Sequence, residues 1–134
     1  MRLLIDTNIL LEIILEQEKA DEARSLLVGT DEHAFYISDF GLHSIGLLLV
    51  RRKQPGIFRQ FVQDVIVDGG VAVSSLAAED MESVLEASEK FNLDFDDAYQ
   101  YAAAGKHGLI LVSFDADFDR TQRGRRTPSQ ILGS

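Results

Sequence analysis

Apolar residues along this chain change their spacing so that short strands alternate with helices. Leu3, Leu4 and Ile5 stand consecutively, a run suited to a strand buried on both faces, and Asp6 falls at its C-terminal end. From Asn8 to Leu15, Ile9, Leu10, Ile13 and Ile14 recur at helical spacing, and Ala20, Ala23, Leu26 and Leu27 resume the pattern after a charged break. Residues 34–37 predict a second strand, with Ser38 or Asp39 as the N-cap of an apolar helix that runs to Val50 and stops before Pro55. Ile57, Phe61, Val62, Val65 and Ile66 predict another helix, closed by Asp68-Gly69-Gly70, and Val71-Ala72-Val73 has the brevity and branching of a strand. Met81, Val84, Leu85 and Ala87 mark an acidic amphipathic helix. Asp94 to His107 reads as a further helix, and Leu109 to Val112 as the next buried strand. Thr127-Pro128 places a capping residue before proline, which predicts a short terminal helix through Leu132.

Strands that alternate with helices and are apolar throughout predict an α/β fold, a three-layer α/β/α sandwich with a central parallel sheet. Ligands in such folds bind at the edge formed by the strand C-termini. A length of 134 residues, without repeat, low-complexity tract or linker, predicts a single domain over 1–134. Hydrophobic residues at 46% and charged residues at 26% exclude a disordered, collagenous or coiled-coil chain, and a core of this size needs no structural staple. The absence of cysteine excludes disulfides, thiolate zinc sites, thiol catalysis and iron–sulfur clusters, and points to a reducing compartment. An acid at position 6 precludes a signal-peptide core, and no apolar run approaches the roughly 20 residues of a membrane span. The expectation is a soluble cytoplasmic protein with no membrane partner.

The net charge of −9 argues at first against a nucleic-acid partner. Its distribution changes that picture. Residues 41–63 carry Arg51, Arg52, Lys53 and Arg59 with no acid, and residues 120–134 carry Arg120, Arg123, Arg125 and Arg126 with none. These islands can contact phosphates locally despite the unfavourable total. Arg123, Arg125 and Arg126 are the expected substrate-binding residues, against the plainer reading of a solvated tail. Arg51, Arg52 and Lys53 can equally complement a helix C-terminus.

Three groups of acids fall where the sheet edge would gather them. Asp6 ends the first strand, Asp115 and Asp117 follow the last, and Asp96 with Asp97 opens a helix. Carboxylates brought within about 4 to 6 Å either raise one another's pKa or hold a cation. Oxygen-only ligands favour Mg²⁺ or Mn²⁺ over zinc, an environment suited to phosphoryl chemistry. Each acid also has a plainer role: Asp6 as a helix cap, Asp96 as a complement to the helix dipole, and Asp119 in a solvated turn.

Taken together, the motifs resemble the PIN-domain nucleases, particularly the VapC-type toxin ribonucleases of bacterial toxin–antitoxin pairs. LLIDTNILLEII resembles their opening strand and DTN motif, DFDDAYQYAAA their central Asp-Ala helix, LILVSFDADFD the late strand with its acidic turn, and TPSQIL the ending. The resemblance spans nearly the whole chain and implies a PIN-like sandwich. It implies metal-binding carboxylates at Asp6, Asp97 and Asp115, an auxiliary acid at Asp117, and supporting partners at Asn8 and Ser113. It further implies a Mg²⁺- or Mn²⁺-dependent hydrolysis of RNA that leaves a 5′-phosphate and a 3′-hydroxyl, with an antitoxin protein and a second copy of the chain as partners. The apolar helices around Ile9 to Leu27 and Leu42 to Val50 offer surfaces for those contacts, with core burial as their plainer use. One departure stands out: where the family usually places a glutamate after the second strand, this chain has Ser44, beside His43.

Two other function classes compete with the nuclease. The loss of that glutamate is the mark expected of a catalytically silent PIN-like interaction module. An acid ending the first strand is also used as a nucleophile by aspartate-dependent phosphatases, although DTN lacks the second acid of a DxD motif. No Gly-x-x-x-x-Gly-Lys or G-x-G-x-x-G loop supports a nucleotide-binding alternative.

Overall fold

Side chains alternate across a strand, and in the first strand both sides of that alternation are apolar. In the computed structural model Leu3 and Ile5 enter one core and Leu4 the other. The structure describes residues 1–29 and 31–133, so within the span 1–134 only Thr30 and Ser134 lie outside the described residues. The order of elements is β1 (Arg2–Ile5), α1 (Thr7–Ile14), α2 (Ala20–Leu27), β2 (Ala34–Ser38), α3 (Asp39–Arg51), α4 (Pro55–Phe61), β3 (Ala72–Ser74), α5 (Met81–Phe91), α6 (Phe95–His107), β4 (Ile110–Val112) and α7 (Pro128–Leu132).

The strands form one parallel sheet in the order β3-β2-β1-β4. Leu3 pairs with Phe35 on one side and with Ile110 on the other, so β1 is central and its end is flanked by the ends of its neighbours. One face is covered by α1, α2, α3, α4 and α7 through Ile9, Leu10, Ala23, Leu26, Ile45, Leu49, Phe61 and Ile131. The other is covered by α5 and α6 through Val84, Ala87, Ala98, Tyr101, Ala103 and Ala104. This is the three-layer α/β/α sandwich expected from the hydrophobic pattern.

Most boundaries shift by a residue or two from the expected ones, and one element changes character. The helix expected over Ile57 to Ile66 begins at Pro55 and gives way after Phe61 to a π-helical run, Val62–Val67. Apolar spacing cannot distinguish the two, because both keep Val65 and Ile66 against the core. The wider turn is visible in its bonding, where the Asp68 amide donates to the Gln63 carbonyl. Gly69 permits the closing turn, since a Cβ there would lie 2.6 Å from the carbonyl oxygens of both Asp64 and Val65. Among the described residues no helix is long and apolar enough to cross a membrane.

The segment after β4 is tied down at both of its ends. The Asp6 amide donates to the Val112 carbonyl, and Arg126 bridges to Val112 from the opposite side. Between them a 3₁₀ turn, Ala116–Arg120, buries Phe118 completely against α5 and α6. Truncating a fully buried phenylalanine costs about 3–5 kcal/mol. Phe118→Ala is therefore expected to lower the urea midpoint by the equivalent of that loss, and a change below about 1 kcal/mol would show that this turn is not anchored by its ring.

Candidate functional site

Asp6 is buried directly behind the last residue of β1, where a bare carboxylate would be strongly disfavoured. Three donors from three elements answer it. The Thr7 amide of α1 donates to Oδ1 at 2.8 Å, Gln100 Nε2 of α6 donates to the same oxygen at 3.2 Å, and Ser113 Oγ, just beyond β4, donates to Oδ2 at 2.7 Å. Asp6 thus also fills the plainer role of capping α1. Burial nevertheless holds its carboxyl above the ordinary range, with the three donors and mainly Ser113 opposing the rise.

Ser113 is held in turn. Its Oγ accepts from Asn8 Nδ2 at 3.1 Å and from the Asp115 amide at 2.9 Å, while Asn8 Oδ1 accepts from the Phe114 amide at 3.3 Å. Asn8 and Ser113 therefore join the start of α1 to the segment that carries Asp115. Gln100 was not singled out by sequence reasoning. It is 2% exposed, also donates to Thr7 Oγ1, and its Oε1 has no hydrogen-bond partner among the described residues. The signal for it was present, a polar residue three positions after Asp97 in an otherwise apolar stretch, and hence on the same helix face. Gly41 of α3 makes room for this group, because a Cβ there would lie 3.0 Å from Thr7 Oγ1 and 3.4 Å from Gln100 Nε2.

In front of Asp6 the remaining acids converge. Carboxylate oxygens of Asp97, Asp115 and Asp117 all lie within 4.8 Å of one another, and those of Asp94, Asp96 and Asp97 form a second such group. Asp6, Asp97 and Asp115 line one pocket of about 270 Å³ together with Asn8, Phe40, Ser44, Asp96 and Gln100. Asp6 contributes from the pocket wall and does not belong to either oxygen group. Asp117, more exposed, places its amide on Asp115 Oδ1 and pairs with Arg120 at 3.2 Å. The Asp97 carboxyl is pushed up to about 7, first by partial burial and then by Asp96, Asp6 and Asp115.

Other residues fall in different places. Ser44 lines the pocket, so α3 brings a hydroxyl to it and no carboxylate, while His43 is exposed and outside it. Arg125 is largely enclosed, donating to Asp119 and to the Ser113 carbonyl. Arg123 stacks 3.9 Å from the centre of the Tyr101 ring and donates to the Tyr101 carbonyl, one turn of α6 beyond Asp97. Arg126 is exposed. None of these three arginines lines the acidic pocket.

A family model described as PIN domain matches residues 3–124. No curated protein matches the chain by sequence. Among solved structures, the chain is similar to a toxin–antitoxin complex from Klebsiella pneumoniae, with 22% identity and a TM-score of 0.71 over 94% of this chain and 97% of that one. It is similar to VapBC2 from Rickettsia felis, bound to a DNA fragment from its promoter, with 15% identity and a TM-score of 0.76 over 94% and 97% of the two chains. VapC20 from Mycobacterium tuberculosis, described as a toxin that cleaves the sarcin-ricin loop, shares 20% identity with a TM-score of 0.72 over 87% and 92%. These likenesses establish a common fold.

The raised Asp97 pKa has a consequence for stability. The metal-free native state holds this proton more tightly than the unfolded chain, whose aspartates titrate near 3.8. That contribution is present below about pH 4 and is lost as pH rises through about 7. Thermal melts in chelator should therefore show Asp97→Asn gaining on wild type across this window. A difference that stays constant with pH would mean that Asp97 is not perturbed.

Proposed function

The chain belongs to the PIN domain family, and from that premise we propose that it is a metal-dependent endoribonuclease, the toxin component of a bacterial toxin–antitoxin pair. The observation that carries this reading is the convergence of Asp97, Asp115 and Asp117 in front of the buried Asp6. Such a group is stable either protonated or with a divalent cation. The donor set fits Mg²⁺ or Mn²⁺: it consists of oxygens, the sequence has no cysteine, and no histidine joins either oxygen group among the described residues.

We assign the ion to Asp6, Asp97 and Asp115, with Asp117 at the outer side. When bound, a divalent ion lowers the pKa of water and neutralises charge on phosphoryl oxygens. The protein's own part is positional. Thr7, Gln100 and Ser113 fix both oxygens of Asp6, and Ser113 and Asn8 fix the approach of Asp115. With its pKa pushed up to about 7, metal-free Asp97 is only partly ionised at neutral pH and would give up its remaining proton on binding a cation.

The RNA substrate and the antitoxin are supported by kinship with a family of nucleases and by the likeness to proteins described as a toxin–antitoxin complex and as a sarcin-ricin-loop-cleaving toxin. Leu47 and Val50 are exposed on α3 and form the apolar surface that we assign to protein contact, with a second copy or with the antitoxin, in the cytoplasm. Ser44 favours a second reading, a silent module that binds a partner without cutting, because it leaves the α3 wall of the pocket without a carboxylate.

Calorimetric titration of Mn²⁺ into the metal-free protein separates these readings. Saturable binding that weakens at least about tenfold in Asp97→Asn, together with RNA products bearing a 5′-phosphate, is the expected result. Ser44→Glu should then tighten the ion and speed cleavage. Binding without cleavage of any RNA would favour the silent module, and no binding at all would remove the nuclease reading.

For RNA contact, Arg123 and Arg126 are both exposed, but Arg123 lies on the Tyr101 ring and Arg125 pairs with Asp119, so these two carry charge already engaged within the fold. The affinity of wild type for RNA should fall more steeply with salt than that of a variant with Arg123, Arg125 and Arg126 replaced by alanine. Equal slopes would take the tail out of the binding surface.

A further inference from the structure

Phe95 opens α6 between Asp94 and Asp96, and its side chain is 48% exposed in these acidic surroundings. Its ring centre lies 6.0 Å from that of Phe40 and 6.3 Å from that of Tyr99, and Phe40 lies 5.3 Å from Tyr99. The three rings form one contiguous group, which reaches the acidic pocket through Phe40. The group is fixed from within. Tyr99 is buried, its hydroxyl donates to Asp39 Oδ1 at 2.7 Å and accepts from the Leu76 amide at 3.2 Å. The same Asp39 oxygen accepts from the Phe40 amide at 2.8 Å, so one carboxylate anchors two of the three rings and leaves the third at the surface.

This placement selects a type of ligand group. Asp94 and Asp96 repel a phosphate, so the strand that enters the pocket cannot be held on this side by its backbone. A nucleobase is flat and uncharged and stacks on an aromatic ring whatever its identity. We propose that Phe95, backed by Phe40 and Tyr99, is a stacking platform for an unpaired base next to the phosphodiester held at the carboxylate cluster, an inference that rests on the nuclease reading above. Bases within a duplex already stack on both faces, so the platform directs the enzyme to single-stranded or looped RNA.

The chain contains no tryptophan, so Phe95→Trp carries a single reporter at the platform. The probes are a short single-stranded RNA of mixed sequence and the same strand annealed to its complement. Both are used with Ca²⁺, an ion that also takes oxygen ligands, and gel electrophoresis confirms that the strand stays intact. The single strand should quench the emission of Phe95→Trp and the duplex should not. Anisotropy should show Phe95→Ala binding the single strand about tenfold more weakly than wild type. Circular dichroism and an unchanged Mn²⁺ titration should show the fold and the ion site to be intact. Equal binding of the single strand by wild type and Phe95→Ala, with no quenching, would overturn the platform and leave the nuclease reading standing. A change of sedimentation caused by Phe95→Ala alone would overturn it in favour of a contact between copies of the chain. Failure of wild type to bind any RNA would remove both readings.

Discussion

A carboxylate buried at the end of the central strand constrains everything around it. The Asp6 carboxyl can lie in the interior only if donors surround it, and those donors come from α1, from α6 and from the residue after β4. Satisfying one side chain therefore fixes three elements relative to one another. The sheet reinforces this arrangement, because the Asp6 amide continues the ladder to Val112 and thereby sets where Ser113 begins. Ser113 then passes the constraint outward to Asn8 and Asp115. The bonds that make the fold consistent are the ones that bring the acids together.

The same economy governs the charges farther out. In sequence, the run from Arg120 to Arg126 looks like free positive surface. In the structure Arg120 donates to Asp117 and to the Phe91 and Asn92 carbonyls, Arg125 is turned to Asp119 and the Ser113 carbonyl, and Arg123 lies on Tyr101. Exposed pairs such as Arg120 with Asp117 contribute only about 0–1 kcal/mol each. Their structural effect is to brace the turn that carries Asp115 and Asp117. A charge run in the sequence therefore overstates the positive surface left for a polyanion.

The sequence disclosed what periodicity and strand ends disclose. The uninterrupted Leu3-Leu4-Ile5 run marks a strand with two buried faces, and the gathering of Asp6, Asp97 and Asp115 at one sheet edge is legible because each stands near the end of a strand or the start of a helix. Thr127-Pro128 marked α7, whose cap is formed by the Thr127 hydroxyl and the Gln130 amide. What stayed hidden depends on contact across the fold. Gln100 reads as one polar residue in an alanine-rich helix until Asp6 is placed beside it. Gly41 reads as a weak point of α3 until Thr7 and Gln100 occupy the space where its Cβ would be. The π-helical run at Val62–Val67 leaves the apolar pattern unchanged and alters only the bonding register, which no periodicity reports.

The walls of the pocket differ in kind, and that difference gives it a direction. Its acids come from the end of β1, from α6 and from the segment after β4, while α3 contributes Phe40 and Ser44. Negative charge is concentrated on the side where Asp97, Asp115 and Asp117 cluster, because a hydroxyl donates or accepts a hydrogen bond but carries no charge. The α3 wall is thereby left to uncharged contacts, and its Phe40 adjoins Phe95, which stands on α6 between Asp94 and Asp96. Ser44 thus leaves one wall of the pocket without negative charge. The pocket sets carboxylates from β1, α6 and the segment after β4 against the ring and the hydroxyl that α3 contributes, so charged and uncharged groups meet different walls of it.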